Sequence, residues 1–145
     1  LGGQLIAHTL GAKVGPHEAG LHEFGYYPIR PVDTTEHFLS GELHVMQCHY
    51  HGFELPEGAR LLAQGNTYPN QAFAFGENAY GLQFHPECTL TTLQRWQTSD
   101  WAPWGRPGAQ TKEQQDTLAT LHDGPMRDWF LKFLEKLFEP SQVRG

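Results

Sequence analysis

The sequence has little of several features that would each define a class of protein. Its only cysteines are Cys48 and Cys88, so a disulfide framework is not expected and a reducing cytoplasm is the predicted compartment. Its 10 Lys and Arg against 16 Asp and Glu argue against a nucleic-acid partner, because such binding needs cations that neutralise phosphates. No apolar run approaches the roughly 20 residues that span a bilayer, so no membrane partner is expected either.

The remaining composition is that of an ordinary globular domain. A hydrophobic content of 39% with 12% aromatic residues is typical of a folded protein, and 145 residues fit one domain. Leu1, Leu5 and Ile6 have helical spacing, and Gly11 supplies a stop for that helix. Since the chain starts inside an element, we expect part of the domain to precede Leu1.

The middle of the chain is patterned as short strands and the end as helices. Alternating or β-branched stretches bounded by Gly, Pro and Asn predict strands, including one hairpin. The C-terminal part instead has helical periodicity on either side of a loop rich in Trp, Pro and Gly. The predicted strands are 12–14, 23–32, 43–48, 60–64, 71–75 and 79–84, and the predicted helices are 89–97, 112–122 and 125–138. This order predicts an α/β domain whose parallel half precedes Leu1.

Two aromatic groups in the C-terminal part have simple structural explanations. The apolar stripe of the last predicted helix, 125–138, indicates packing against the core. Trp96, Trp101 and Trp104 border or lie in the loop 98–109. They anchor that loop to the core, or they form a lid or a surface for a partner, and the sequence leaves both interpretations open.

The strongest chemical signal is the stretch Gly81-Leu82-Gln83-Phe84-His85-Pro86-Glu87. An apolar strand delivers His85 at its C-terminal end, where open α/β sheets place their ligand sites. Glu87 follows at a spacing that lets its carboxylate orient the imidazole. This is the base and orienter of a nucleophile–base–orienter triad, although a surface histidine beside a helix-capping glutamate fits the same residues.

A second signal opens the chain, and together the two resemble a known family. Leu1-Gly2-Gly3-Gln4 is similar to the part of the class I glutamine amidotransferase signature that follows the nucleophilic cysteine. Gly81 to Glu87 matches the second signature of that family at every position. Glu23-Phe24-Gly25-Tyr26, His51-Gly52 and the stretch 68–73 resemble intervening family segments, so the similarity runs from Leu1 to about Leu93.

The resemblance implies a doubly wound α/β fold with an open mixed sheet flanked by helices. Residues 1–145 would then be the C-terminal two thirds of a single domain, with its first strands before Leu1. It further implies that the nucleophilic cysteine is the residue immediately before Leu1, which is not part of this sequence. His85 would be the general base and Glu87 its orienter, and the Leu1 N–H would form half of an oxyanion hole.

The resemblance also implies the substrate contacts. Gln4 is similar to the family glutamine that contacts the α-amino or α-carboxylate end of the substrate, and the loop of Tyr50, His51, Gly52 and Phe53 to the one whose backbone grips that end. Neither Cys48 nor Cys88 is followed by a glycine elbow, so neither is the expected nucleophile. No cofactor and no metal are expected, since His37, His44, His49 and His51 lack ligand spacing.

The reaction implied is hydrolysis of the glutamine γ-amide to glutamate and ammonia through a γ-glutamyl thioester. Two alternatives stay open: a γ-glutamyl peptide or conjugate hydrolase of the same family, and an inactive binding module if the residue before Leu1 is not cysteine. The expected partners are glutamine or a γ-glutamyl compound, with a separate synthetase subunit as the acceptor of ammonia.

Overall fold

A computed structural model describes residues 1–33 and 37–138, in which the strands form two antiparallel sheets. β1 and β4 make a two-stranded ribbon, and the larger sheet has the order β3-β2-β5-β6-β7. The strands are β1 (Val14–Pro16), β2 (Glu23–Pro31), β3 (Leu43–His49), β4 (His51–Phe53), β5 (Arg60–Gly65), β6 (Asn70–Phe75) and β7 (Ala79–Leu82). The helices are α1 (Gly2–Thr9), α2 (Leu90–Gln97) and α3 (Lys112–Phe138).

Strand β6 shows how the large sheet is buried on both faces. Phe73 packs with Ala7 of α1 in one apolar cluster, whereas Ala72 and Ala74 belong to a second cluster that contains Met126 of α3. Because successive strand residues point to opposite faces, α1 covers one face of the sheet and α2 and α3 cover the other. This arrangement agrees with the predicted α/β class.

The ribbon corrects one sequence prediction. The stretch around His51 and Gly52 was expected to be a loop, yet His51–Phe53 pairs with Val14–Pro16 in antiparallel register. A three-residue strand that contains a glycine is too short to show alternating apolar and polar residues. Its pairing is therefore determined by contacts with residues that are distant in the sequence. The first predicted strand is also displaced, to Val14–Pro16 rather than 12–14.

Helix α3 corrects a second prediction, that Pro125 begins a separate helix. Lys112–Phe138 is one continuous helix with Pro125 inside it, although an internal proline costs about 3 kcal/mol in helix stability. Ala119 and Met126, on the two sides of the proline, are both buried in the same cluster. Packing against one surface therefore holds the two halves in line. No helix in the described ranges is both long and apolar enough to cross a membrane.

The loop between α2 and α3 is held against the start of β2. The Gln110 side chain donates to the Tyr26 carbonyl (2.6 Å) and accepts from the Tyr26 N–H (2.9 Å), as a neighbouring strand would. The His22 N–H donates to the Pro107 carbonyl (2.8 Å), and the Gln110 N–H donates to the Phe24 carbonyl (3.1 Å). The loop is thereby fixed beside the end of the sheet where β2 begins.

The first turn of α1 lies in direct contact with the backbone of β7. A Cβ atom placed on Gly3 would come within 2.4 Å of the Leu82 carbonyl oxygen, closer than any real side chain is found. A Cβ atom on Gly2 would meet nothing within 4 Å. Of the two adjacent glycines, Gly3 is therefore the one that the packing requires.

We expect Gly3→Ala to lower the free energy of unfolding by about 1–3 kcal/mol, because the added methyl group must displace α1 from β7. Gly2→Ala is the matched control and should be neutral or stabilising by up to about 1 kcal/mol, since alanine is the better helix former. Urea unfolding of the two variants beside wild type measures both effects. Equal behaviour of the two variants would contradict the close packing.

Candidate active site

His85 and Glu87 form a hydrogen-bonded pair just beyond β7. The His85 Nδ1 atom lies 2.7 Å from Glu87 Oε1. Because a carboxylate only accepts, Nδ1 carries the proton and the lone pair is left on Nε2. The His85 backbone N–H donates to the Met46 carbonyl of β3 (2.8 Å), and the ring packs edge-on against Trp96 at 5.2 Å. The imidazole is thus fixed in orientation and tautomer.

The electrostatics of Glu87 favour an ionised carboxylate. Burial raises its pKa, but the hydrogen bond from His85 and further favourable interactions outweigh that effect, so the pKa lies below its ordinary value. The Leu1 backbone nitrogen lies close enough to Glu87 to interact with it electrostatically.

The start of α1 and the histidine are also connected through the backbone. Gly3 contacts Leu82, the last residue of β7, and His85 follows three residues later in the chain. The strand was predicted to continue to residue 84, but it ends at Leu82, and residues 83–85 bend away from it. The contact between α1 and β7 thus sets how Leu1 lies relative to His85.

A cavity of about 940 Å³ opens beside the start of α1. Four of the predicted site residues line it, whereas His85, Glu87, Gly52 and Phe53 do not. The lining residues are Leu1, Gln4, His22, Cys48, His49, Tyr50, His51, Asp100, Trp101, Ala102, Pro103, Trp104 and Arg106. Two ring contacts connect His85 to this cavity: its ring packs against Trp96, and the Trp96 ring lies 6.4 Å from that of Trp101, which lines the cavity.

The predicted substrate loop divides into two parts. Tyr50 and His51 line the cavity, and the His51 carbonyl accepts a hydrogen bond from Gln4 Nε2 (2.9 Å). Gly52 lies under the Tyr68 ring, which a Cβ atom would approach within 2.6 Å, and Phe53 is buried against Phe73. Gly52 and Phe53 therefore act in packing, and any role in substrate binding is left to their backbone.

The loop 98–109 forms one wall of the cavity. The sequence had left the role of this loop open. Trp101 and Trp104 both line it, and Trp101 is 56% exposed. Trp104 is also anchored, because its Nε1–H donates to the Gln97 carbonyl (3.2 Å) and its ring packs edge-on against Phe24. Trp104 therefore secures the loop, while Trp101 presents an aromatic face to the cavity.

Both cysteines are poor nucleophiles by their surroundings. Burial raises the pKa of Cys48 to about 11. Burial, reinforced by Glu87 and other neighbours, raises the pKa of Cys88 to about 12. A thiol with such a pKa is almost entirely protonated at neutral pH, and the thiolate is the reactive form.

Sequence reasoning missed a buried acid–base pair beneath the cavity. Glu23 Oε2 lies 3.0 Å from His49 Nε2, and the two residues are direct partners in the β2–β3 register. Each residue was noted separately, Glu23 in a family segment and His49 among the histidines that lack ligand spacing. Only the strand register could have brought them together, and no local pattern encodes it.

The clustered histidines belong to separate environments. The His44 ring stacks on His122 of α3 at 3.9 Å, and burial together with His44 lowers the pKa of His122. His49 and His51 belong to different strands. Within the described part of the chain, no three His, Cys, Asp or Glu side chains are grouped so that they could hold a metal ion.

Comparison with known proteins identifies the family. The model of the class-I glutamine amidotransferase family matches residues 1–98 of this chain. The chain belongs to that family, as its two signatures indicated. GMP synthases [glutamine-hydrolyzing] of Streptococcus pyogenes, among them that of serotype M1, are 38% identical over 91 residues. That region covers 59% of this chain and only 18% of the synthase, so the chain spans less than a fifth of these relatives.

Solved structures confirm the fold class. A glutamine amidotransferase from Thermotoga maritima superposes with a TM-score of 0.75 and 26% identity over 95% of this chain and 60% of that one. A glutamine amidotransferase from Methylobacillus flagellatus reaches 0.76 over 99% of this chain and 63% of that one. At 21% identity the second similarity concerns the fold alone. The α/β fold is therefore that of class I glutamine amidotransferases.

We expect Cys48 and Cys88 to resist alkylation in the folded protein. At pH 8 the pKa of about 11 for Cys48 should slow its reaction with iodoacetamide by about 100-fold relative to the unfolded chain, because the thiolate fraction falls in that proportion. Cys88 should react more slowly still. Peptide mapping by mass spectrometry, with and without denaturant, gives both rates. A folded-state rate for Cys48 near the unfolded one would refute this assignment.

Proposed function

We propose that this chain supplies the base and part of the substrate pocket for hydrolysis of the glutamine γ-amide. The observation that carries the proposal is the His85–Glu87 pair, which leaves a lone pair on Nε2 of a residue three positions beyond the Leu82 backbone that Gly3 contacts. The nucleophile is a cysteine immediately before Leu1. Membership of the class I glutamine amidotransferase family supports this reading.

In the proposed reaction His85 acts first as base and then as acid. It takes the thiol proton, and the thiolate attacks the γ-carbonyl carbon of glutamine to give a tetrahedral oxyanion. The Leu1 backbone N–H donates to that oxyanion. Collapse breaks the C–N bond, and the proton held by His85 leaves with ammonia. His85 then deprotonates a water molecule whose oxygen attacks the thioester carbon; the C–S bond breaks, glutamate is released, and the proton on His85 returns to the cysteine sulfur. Glu87 holds the ring and stabilises the imidazolium at each stage.

The α-carbon end of the substrate is assigned to the part of the cavity lined by Gln4 and His51. The Gln4 amide is held there by the His51 carbonyl. An amide fixed through its nitrogen offers its oxygen as an acceptor. Tyr50 lines the same region, and the backbone of Gly52 and Phe53 continues from it.

A second candidate function is hydrolysis of γ-glutamyl peptides or conjugates. The exposed Trp101 face favours it, because an aromatic wall suits a leaving group larger than ammonia. Turnover of free glutamine beside γ-glutamyl peptides separates the two candidates, since a strong preference for the peptides would defeat the ammonia-donor assignment. An inactive binding module remains the alternative if the residue before Leu1 is not cysteine, and activity on neither substrate class selects it.

The acceptor of ammonia is assigned to another polypeptide segment or subunit. The matched region is only 18% of the Streptococcus pyogenes GMP synthases, so most of those proteins lies outside this similarity. We therefore propose a synthetase-type partner that consumes the ammonia, either as a separate subunit or elsewhere in the same protein.

We expect His85→Asn to reduce glutamine hydrolysis by at least about 100-fold, because general acid–base catalysis contributes that much or more. The thermal unfolding midpoint should change little, since the His85 side chain is partly exposed and, within residues 1–33 and 37–138, its ring forms one hydrogen bond, to Glu87. The measurement is ammonia release under saturating glutamine, with unfolding followed by circular dichroism.

His8→Asn is the matched control, because His8 is exposed on α1 and lies outside the cavity lining. It should retain the wild-type rate. Substantial hydrolysis by the His85→Asn protein would reject the assignment of His85 as the base. Equal losses in both variants would show that the effect is not specific to the His85–Glu87 pair.

A further inference from the structure

The buried pair beneath the cavity stands at the end of a directed chain of amide hydrogen bonds. Gln71 Nε2 donates to the Tyr68 carbonyl (3.0 Å), which can only accept. Gln71 therefore turns its oxygen to Gln47, whose Nε2 donates to it at 2.7 Å. Gln47 in turn presents its own oxygen to His49 Nε2 at 3.0 Å. One backbone carbonyl thus fixes the direction of every amide in the series.

These directions determine the protonation of His49. Its Nε2 faces two acceptors, Gln47 Oε1 and Glu23 Oε2, each at 3.0 Å. Its Nδ1 lies 2.8 Å from a third acceptor, the His51 carbonyl. Both ring nitrogens must donate, so His49 is an imidazolium with Glu23 as its counterion. The two side chains are 6% and 3% exposed, so the pair is shielded from water.

A His49 that is protonated on both ring nitrogens cannot have two other roles. An imidazolium has no lone pair, so His49 neither activates the neighbouring Cys48 nor binds a metal ion. His49 is itself one of the lining residues of the cavity, and it holds the neighbouring His51 carbonyl there.

The His51 carbonyl couples the buried pair to Gln4. It accepts from His49 Nδ1 and from Gln4 Nε2 (2.9 Å), which uses both of its lone pairs. Gln4 lines the cavity, and its Oε1 has no hydrogen-bond partner in residues 1–33 and 37–138. The amide is held by its donor end, and its acceptor end is available to a ligand.

We propose that the Glu23–His49 pair is a positioning device that holds the His51 carbonyl and thereby turns Gln4 Oε1 toward the α-ammonium group of a glutamyl substrate. The inference rests on the proposed function, because it assigns the recognition of one substrate group within that site. Glu23 and His49 act as positioning residues and do not touch the reacting atoms.

The test compares glutamine with its des-amino analogue glutaramate, which keeps the γ-amide and lacks the ammonium group. Wild type should have the lower KM for glutamine. His49→Gln and Glu23→Gln should each raise the KM for glutamine by about 10-fold, as loss of one charge-assisted hydrogen bond implies, with kcat changed less. The KM for glutaramate should stay near its wild-type value in both variants, because that substrate lacks the group that Gln4 recognises.

A double-mutant cycle connects the pair to Gln4. If His49 acts through Gln4, then Gln4→Ala combined with His49→Gln should raise the KM for glutamine no more than Gln4→Ala alone. Gln97→Ala is the structural control, since it removes a buried amide hydrogen bond to Gln115 (3.1 Å) away from the cavity. It should destabilise the protein and leave the preference for glutamine over glutaramate unchanged.

Each outcome decides one of the two proposals. The positioning role would be overturned if the KM increases of Gln4→Ala and His49→Gln multiplied in the double mutant. It would also be overturned if the pair variants raised the KM for glutamine and for glutaramate equally. In both cases the proposal of glutamine hydrolysis would stand. A wild-type protein that hydrolyses neither substrate would remove the proposed function itself. Nitrogen NMR of the wild-type histidines needs no variant: His49 should show two protonated ring nitrogens, and a neutral ring contradicts the inference.

Discussion

The contact between Gly3 and the Leu82 backbone is the constraint on which the rest of the site depends. It lets the first turn of α1 lie directly on β7, with no side chain between them. The residue before Leu1 and the lone pair of His85 can take part in one reaction only if α1 and β7 stay in contact. Burial of α1 against Phe73 on one face of the sheet then stabilises the arrangement.

The other half of the site is the continuous series of buried hydrogen bonds that ends at the cavity. From the Tyr68 carbonyl through Gln71, Gln47 and His49 to the His51 carbonyl, each hydrogen bond sets the direction of the next. Buried polar groups are costly when they are unpaired, so such a series is stable only as a whole. It links the centre of the sheet to a side chain at the cavity surface.

The sequence predicted elements whose signals are local, and it failed where the determinant was distant. The predicted hairpin of β6 and β7 is confirmed. It could be predicted because the alternating strands and the turn residues 76–78 between them are adjacent in the sequence. Pro125 was wrongly predicted to start a helix. The buried packing of Ala119 and Met126, on the two sides of the proline, cannot be predicted from the sequence. Family motifs indicated His85, Glu87 and Gln4, and their roles remain predictions. The Glu23–His49 pair depends on the β2–β3 register and could not be predicted locally.

In the proposed reaction a cysteine before Leu1 and the His85–Glu87 pair act on the γ-amide of a glutamine molecule whose α-carbon end Gln4 holds in the cavity. The most direct test is labelling with a glutamine analogue that carries a diazoketone at the γ-position, followed by peptide mapping. We expect a single adduct on the residue that precedes Leu1, and loss of labelling in His85→Asn. An adduct on Cys48 or Cys88, or labelling that persists without His85, would contradict it.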